Sequence, residues 1–287
     1  MFGYSVLRSS QNRSYFDAIY DQLRAFKIPI EGIHTETGDG VYEASIDYTD
    51  VLEAADRASL FKTGVKEIAY QFEILATFMA KWSTDFPGCS GHIHQSLWDE
   101  DQQQNLFLDA DAGHQISDLL RHYIAGQLHC LPYILPMYAP TINSYKRFVE
   151  GSWASTSVSW GVENRTTALR VINHNKNGMR LETRVPGADA NPYLSMAASL
   201  ASGLYGIENE LELKIPQTSG NEYDNKQTQQ LPTTLEQAVR AMKSSDLAIE
   251  LFGETFTEHF IKTREWECRQ YSKAVTDWEL KRYFEII

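Results

Sequence analysis

With 287 residues, 43% hydrophobic and 22% charged, the chain has the composition of an ordinary globular protein with enough material for a sizeable core, as one large domain or two, and disorder is not expected. A formal charge of -12 and a pI near 5.1 argue against a general nucleic-acid or anionic-membrane surface, so an anionic ligand must be met by local arginines. No apolar run reaches membrane-spanning length, the first residues lack signal-peptide character, and the three widely spaced cysteines Cys89, Cys130 and Cys268 support no disulfide framework, which together point to a reducing, cytoplasmic setting.

Residues 14–26 set Phe16, Ile19, Leu23 and Phe26 against Asp17, Asp21 and Arg24, an amphipathic helix expected to pack on a sheet. Two short extended runs follow over residues 33–46, joined by Thr37-Gly38-Asp39-Gly40. On one continuous strand Glu36 and Glu43 would face opposite sides, but the glycine-bearing loop lets both carboxylates turn toward one point. Solvated hairpin charges are the equally simple reading. Thr49-Asp50 offers a cap for a long helix to about Phe72, with Lys62 and Lys66 on its solvated face.

Residues 77–82 read as a strand leading into Gly88-Cys89-Ser90-Gly91-His92-Ile93-His94-Gln95-Ser96-Leu97-Trp98. Strand alternation there points His92, His94 and Ser96 to one face free of Lys or Arg, where two imidazoles could ligate a divalent metal or hold phosphate oxygens. By itself the pair is as readily two hydrogen-bonded histidines on a half-buried strand. Cys89 reads as a small turn residue rather than a nucleophile. After a polar turn at 99–104, residues 114–135 form an apolar-rich helix that Pro132 and Pro136 are expected to break near its end.

Arginines then concentrate: Arg147 in Asn143-Ser144-Tyr145-Lys146-Arg147, Arg165 in Glu163-Asn164-Arg165, Arg170, and the alternating Arg180, Glu182 and Arg184. On one strand face that alternation is a carboxylate flanked by two guanidiniums, suited to bidentate binding of carboxylates and phosphates, or else a surface ion-pair ladder. Asn191-Pro192 caps a helix that leaves little polar face and is expected to be buried. Residues 217–234 read as a surface excursion, and the helical region 235–284 carries Trp266, Tyr271, Trp278 and Tyr283 as packing or oligomer contacts. There is no internal repeat and no P-loop.

Carboxylate and imidazole ligands with phosphate-binding arginines are the equipment of phosphoryl transfer. In their order the His segment, Asn143-Ser144-Tyr145-Lys146-Arg147, Glu163-Asn164-Arg165-Thr166, Arg180-Leu181-Glu182-Thr183-Arg184 and Asn191-Pro192-Tyr193-Leu194 resemble the motifs of the glutamine synthetase catalytic domain, over nearly the whole of residues 1–287. The resemblance implies an α+β fold, a curved, mostly antiparallel sheet backed by helices. It implies ATP-dependent ligation of the γ-carboxylate of glutamate to ammonia or an amine through γ-glutamyl phosphate, with Mg2+ or Mn2+. It also implies a homo-oligomer of stacked hexameric rings, with no nucleic-acid or membrane partner. By matching motif, Glu36 and Glu43 resemble the carboxylates of one metal site, and His92 and Glu182 ligands of a second. His94 and Ser96 resemble nucleotide-side contacts, and Arg165, Arg170 and Arg180 phosphate contacts. Arg147 and Arg184, with Gly88, resemble glutamate contacts, and Arg147 and Arg165 are the arginines implied in catalysis.

Three features depart from the family pattern. The family's N-terminal β-grasp domain and a Glu-x-Glu strand have no counterpart before Glu36, which reads Met1 as internal to a longer protein, or the chain as a truncated product, and leaves it catalytically incomplete alone. Ammonia-using members carry a glutamate where Trp153 stands, and an aromatic cannot act as a base there but favours an apolar or larger amine. Pro87 replaces an asparagine whose amide would help hold glutamate. The pattern is closer to the branch with γ-glutamyl-amine ligases and lengsin-type relatives, so a polyamine or other organic-amine ligase and a non-catalytic oligomer-forming protein are the alternatives. The tyrosine segment of adenylylation control is not recognisable in residues 217–231.

Overall fold

The computed structural model describes residues 3–173 and 178–287; Met1 and Phe2, on which the reading of the chain start rests, lie outside the described residues. A short helix α1 (Val6–Gln11), with no buried side chain and no anticipating periodicity, precedes α2 (Arg13–Ala25), which buries Tyr15, Phe16, Ile19 and Leu23 as its apolar stripe requires. That stripe packs on β1 (Ile30–Thr35) and α3 (Val51–Gln71), forming a small core with Val65, Ile68 and Ala69. Strand β2 (Tyr42–Ile46) pairs antiparallel with β1 after a bulge between Ile30 and Gly32, placing His34 opposite Glu43. Asp50 occupies the N-cap of α3 without a side-chain cap bond. Lys62 is not on a solvated face: its Nζ donates to the Ala190 carbonyl at 2.6 Å, tying the small core to the rest of the protein.

Residues 77–82 form no strand. Their backbone groups are satisfied elsewhere: Cys89 N donates to Ala80 O at 2.8 Å, and the Asn143 side chain meets both Lys81 N and Lys81 O.

The larger core lies between a four-stranded sheet and helices. The strands are β3 (Ile93–Gln95), β4 (Trp160–Val162), β5 (Leu169–Ile172) and β6 (Arg180–Thr183), in the order β3-β6-β5-β4. β3–β6 and β6–β5 are antiparallel and β5–β4 is parallel. The α+β class and the mostly antiparallel pairing are as expected, and among the described residues the strands form two hydrogen-bonded sheets, each with its own core.

Helix α4 (Asp118–Tyr138) starts four residues later than its apolar pattern, where the Ser117 hydroxyl accepts from Leu120 N; His114 sits in a preceding turn at φ 57°. Pro132 and Pro136 do not break it. The helix runs to Tyr138, with both prolines buried in the core, so tertiary packing outweighs the lost hydrogen bonds. Helix α5 (Pro192–Glu208) is capped by Asn191 as expected, but it is not buried all round. Its inward face is Ser195, Ala198, Ser199, Ser202, Gly203 and Gly206, while Tyr193 and Leu204 are exposed. Small residues face inward because the α4 and α5 backbones touch: a Cβ on Gly206 would meet His122 O at 2.1 Å.

Residues 217–234 are more than a surface excursion. Glu222 is buried, accepting from Ser157 Oγ at 2.9 Å and Thr218 Oγ1 at 2.6 Å, and Leu231 joins the large core. Helices α6 (Leu235–Lys243), α7 (Leu247–Phe252), α8 (Glu254–Tyr271) and α9 (Asp277–Tyr283) close the chain, leaving Trp266, Tyr271, Trp278 and Tyr283 exposed rather than packed. Among the described residues no helix is long and apolar enough to cross a membrane.

Candidate active site

Strand pairing builds the first part of the site. Register sets Glu182 on β6 opposite His94 on β3 and Arg170 on β5, so the central strand's carboxylate is met from both neighbours. Glu182 is only 3% exposed. Its Oε1 lies 3.1 Å from His92 Nδ1 and 2.6 Å from Arg184 Nη1, and its Oε2 accepts from Arg170 Nη1 at 3.1 Å. Burial alone would raise the Glu182 pKa, but the His92 hydrogen bond and the charges of His92, Arg184 and His94 outweigh it and hold the carboxyl well below the usual range. Burial pushes both imidazoles down, His94 to about 4, so both are neutral at pH 7 and the guanidiniums supply the compensating charge.

With its Nδ1–H donating to Glu182, His92 keeps a lone pair on Nε2, which is buried and has no partner. A carboxylate-oriented imidazole with a free nitrogen suits metal ligation. The face is not free of arginine: Arg180 Nε donates to His94 Nδ1 at 3.1 Å, and Arg170, not Arg180, is the second guanidinium on Glu182. Ser96 Oγ accepts from Trp98 Nε1 at 2.9 Å.

The second part is the β1–β2 turn. One ligand atom each from His34, Glu36 and Glu43 lie within 4.8 Å of one another, so the loop does turn both carboxylates toward one point. Burial raises the Glu43 pKa, and repulsion from Glu36 and Glu182 adds to it against the pull of His34. The only ion pairs of Glu36 and Glu43 among the described residues are with His34, so this corner carries unbalanced negative charge and fits a divalent cation.

The remaining candidates surround these centres. Arg147 is 2% exposed, donating from Nη1 to Ser90 Oγ at 3.0 Å and from Nη2 to the Val185 carbonyl. Its Nε is buried without a partner, and burial lowers its pKa to about 10, leaving it protonated. Gly88 lies against it, for a Cβ there would meet Ala80 O at 2.5 Å and the Arg147 side chain at 2.6 Å. Arg165 is exposed, and its carbonyl accepts from Arg184 Nε at 3.1 Å. Arg184 Nη2 also donates to the Trp153 carbonyl at 3.3 Å, leaving the indole 56% exposed beside the site. Burial pushes the Cys89 thiol up, which agrees with a turn residue rather than a nucleophile.

Three participants escaped the sequence reading. His34 and Glu36 alternate on one strand face, the same signal that singled out His92 and His94. Glu163, at φ 52°, grips Arg170 Nη2 at 2.5 Å, and nothing in its spacing announces this. Asp189 accepts from Thr141 Oγ1 at 2.8 Å and Ser144 Oγ at 2.6 Å, a contact between loops far apart in sequence.

On this fold the chain presents a carboxylate and imidazole corner of the composition that holds a divalent cation, and a set of arginines of the kind that holds anions. The chain belongs to the glutamine synthetase family: the sequence model described as glutamine synthetase, catalytic domain, matches residues 2–283. It is 50% identical, over its whole length, to type-1 glutamine synthetase 2 of Dictyostelium discoideum, and 40% identical, over 99% of its length, to a glutamate–isopropylamine ligase of a Pseudomonas species. It spans 55% and 62% of those two proteins. A solved GmaS/ADP complex superposes with a TM-score of 0.88 at 29% identity, over 98% of this chain and 66% of that one.

Proposed function

We propose that residues 1–287 act as one catalytic domain that, in a homo-oligomeric ring assembly, joins the γ-carboxylate of glutamate to an amine at the expense of ATP. The observation that carries this is the buried Glu182–His92–Arg170–Arg184 centre, which the same chain combines with the uncompensated His34–Glu36–Glu43 corner. Glu36 and Glu43 hold one divalent cation, Mg2+ or Mn2+, and His92 and Glu182 another; bound there, the cations neutralise phosphate charge. His94, Ser96, Arg165, Arg170 and Arg180 face the nucleotide. Arg147, Arg184 and Gly88 form the glutamate side, and Arg147 and Arg165 stabilise the charge that develops as phosphoryl moves. A glutamate carboxylate oxygen attacks the γ-phosphorus, ADP leaves, and the amine then displaces phosphate from the acyl carbon with loss of one proton.

An organic amine is favoured over ammonia as acceptor. Trp153 is exposed beside Arg184, offers apolar surface and no base, and the Pseudomonas relative is a glutamate–isopropylamine ligase. The test is phosphate release from glutamate and ATP with ammonium, isopropylamine, ethanolamine or putrescine, with products identified by mass. Turnover with an alkylamine and little with ammonium is expected; turnover with ammonium alone overturns the acceptor. Absence of any Mg-ATP binding by calorimetry overturns the ligase in favour of a non-catalytic relative.

A further inference from the structure

We propose that His34 is a third ligand of the Glu36–Glu43 cation site and makes that site favour borderline ions, Mn2+ or Zn2+, over Mg2+. The proposal rests on the reading that Glu36 and Glu43 hold a divalent cation, and it adds a residue and a selectivity to it.

Strand register sets His34 directly opposite Glu43 and two residues from Glu36. Its ring faces both carboxylates, Nδ1 at 3.5 Å from Glu36 Oε1 and Nε2 at 3.9 Å from Glu43 Oε2. These separations are too long for firm hydrogen bonds, and the 3.4 Å approach of Nδ1 to the Thr35 carbonyl is marginal, so neither nitrogen is strongly engaged. The ring plane is nevertheless held: Tyr4 stacks on it at 4.7 Å and 29°, and Tyr4 is itself fixed by its amide on the Thr35 carbonyl at 2.7 Å. Ligands about 2.0–2.2 Å from one ion sit roughly 3–4 Å from each other, so a cluster within 4.8 Å must close by no more than about 1–2 Å.

The donor set decides the ion. Carboxylates alone suit Mg2+, which demands near-octahedral oxygen and keeps its waters. One imidazole among two carboxylates shifts preference toward ions that accept nitrogen well. His34, Glu36 and Glu43 have side chains 32%, 27% and 52% exposed, so water or a substrate oxygen can complete the coordination.

Titration of the EDTA-stripped, dialysed protein with Mn2+, Zn2+ and Mg2+, followed by calorimetry and by loss of the free Mn2+ resonance signal, tests this. His34→Gln should weaken Mn2+ binding roughly tenfold or more and Mg2+ binding much less. His34→Asp should restore affinity with the preference moved toward Mg2+, an outcome that a merely structural ring cannot produce. Equal losses for both ions, or no loss, overturn the assignment of His34 while Glu43→Gln still abolishes binding. Wild-type protein that binds neither ion at this site, with Glu43→Gln silent, overturns the cation reading beneath it.

Discussion

The two acidic centres of this protein solve opposite problems. Glu182 is buried and met by two guanidiniums and an imidazole, so its charge is balanced within the chain. Glu36 and Glu43 share a half-open corner with one histidine and no guanidinium or ammonium partner among the described residues, so theirs is not. The first is a prebuilt part of the fold; the second leaves its carboxylate charge uncompensated within the chain. Position in the sheet explains the difference: Glu182 sits on a central strand with neighbours on both sides, Glu43 on a two-stranded ribbon.

Removing the balanced charge should have the largest effect. Glu182→Ala leaves Arg184 without its carboxylate and Arg170 with Glu163 alone, and should cost about 3–5 kcal/mol in denaturant unfolding. A loss under about 1 kcal/mol would break the contrast. Acid should separate the centres next, in metal-free buffer. The folded Glu182 pKa is depressed, so its stabilisation is complete above the unfolded carboxylate value and is lost as pH falls below it. Glu43 has the opposite sign: its folded pKa is raised, so its contribution is complete below the unfolded value and lost as pH rises through the folded one. Below the unfolded carboxylate value Glu182→Gln should therefore flatten the acid fall of the stability profile, and between pH 7 and that value Glu43→Gln should steepen the fall toward acid. Profiles that shift in parallel would show that the pairings are not what separates the two.

Glu43→Gln at neutral pH should be nearly silent without metal, a change within about 0.5 kcal/mol that favours the variant, because it relieves repulsion from Glu36. The same variant should lose most of the rise in melting temperature that excess Mn2+ gives the wild type. The smallest effect concerns Cys89, whose raised thiol pKa predicts alkylation by iodoacetamide at pH 7.5 slower than that of a free cysteine. Labelling at the free rate would remove burial as the controlling factor.

Local signals were legible wherever one element decides the outcome. The stripe of α2, the cap of α5, the alternation at His92 and His94 and the loop turning Glu36 and Glu43 together all appear as read. What depends on pairing partners was not. Arg170 reaches Glu182 only because β5 aligns with β6, and no spacing within β6 shows it. Residues 77–82 read as a strand, but their backbone groups pair with Asn143 and Cys89 instead of a neighbouring strand. Pro132 and Pro136 would stop an isolated helix, yet burial of both prolines in the core keeps α4 continuous to Tyr138. The glycines that let α4 and α5 touch carry no periodic signature, so the apolar content of α5 points to all-round burial where only its small-residue face is buried.

Arg184 divides its donors among Glu182, the Arg165 carbonyl and the Trp153 carbonyl. The segment bearing Trp153 is thus tied through that guanidinium to Glu182 on β6, and through the Ala154 carbonyl to the Tyr223 hydroxyl. Amide exchange at residues 151–154 consequently reports on the integrity of a charge cluster in the sheet beneath it, and chain cleavage there is the first sign that the cluster has come apart.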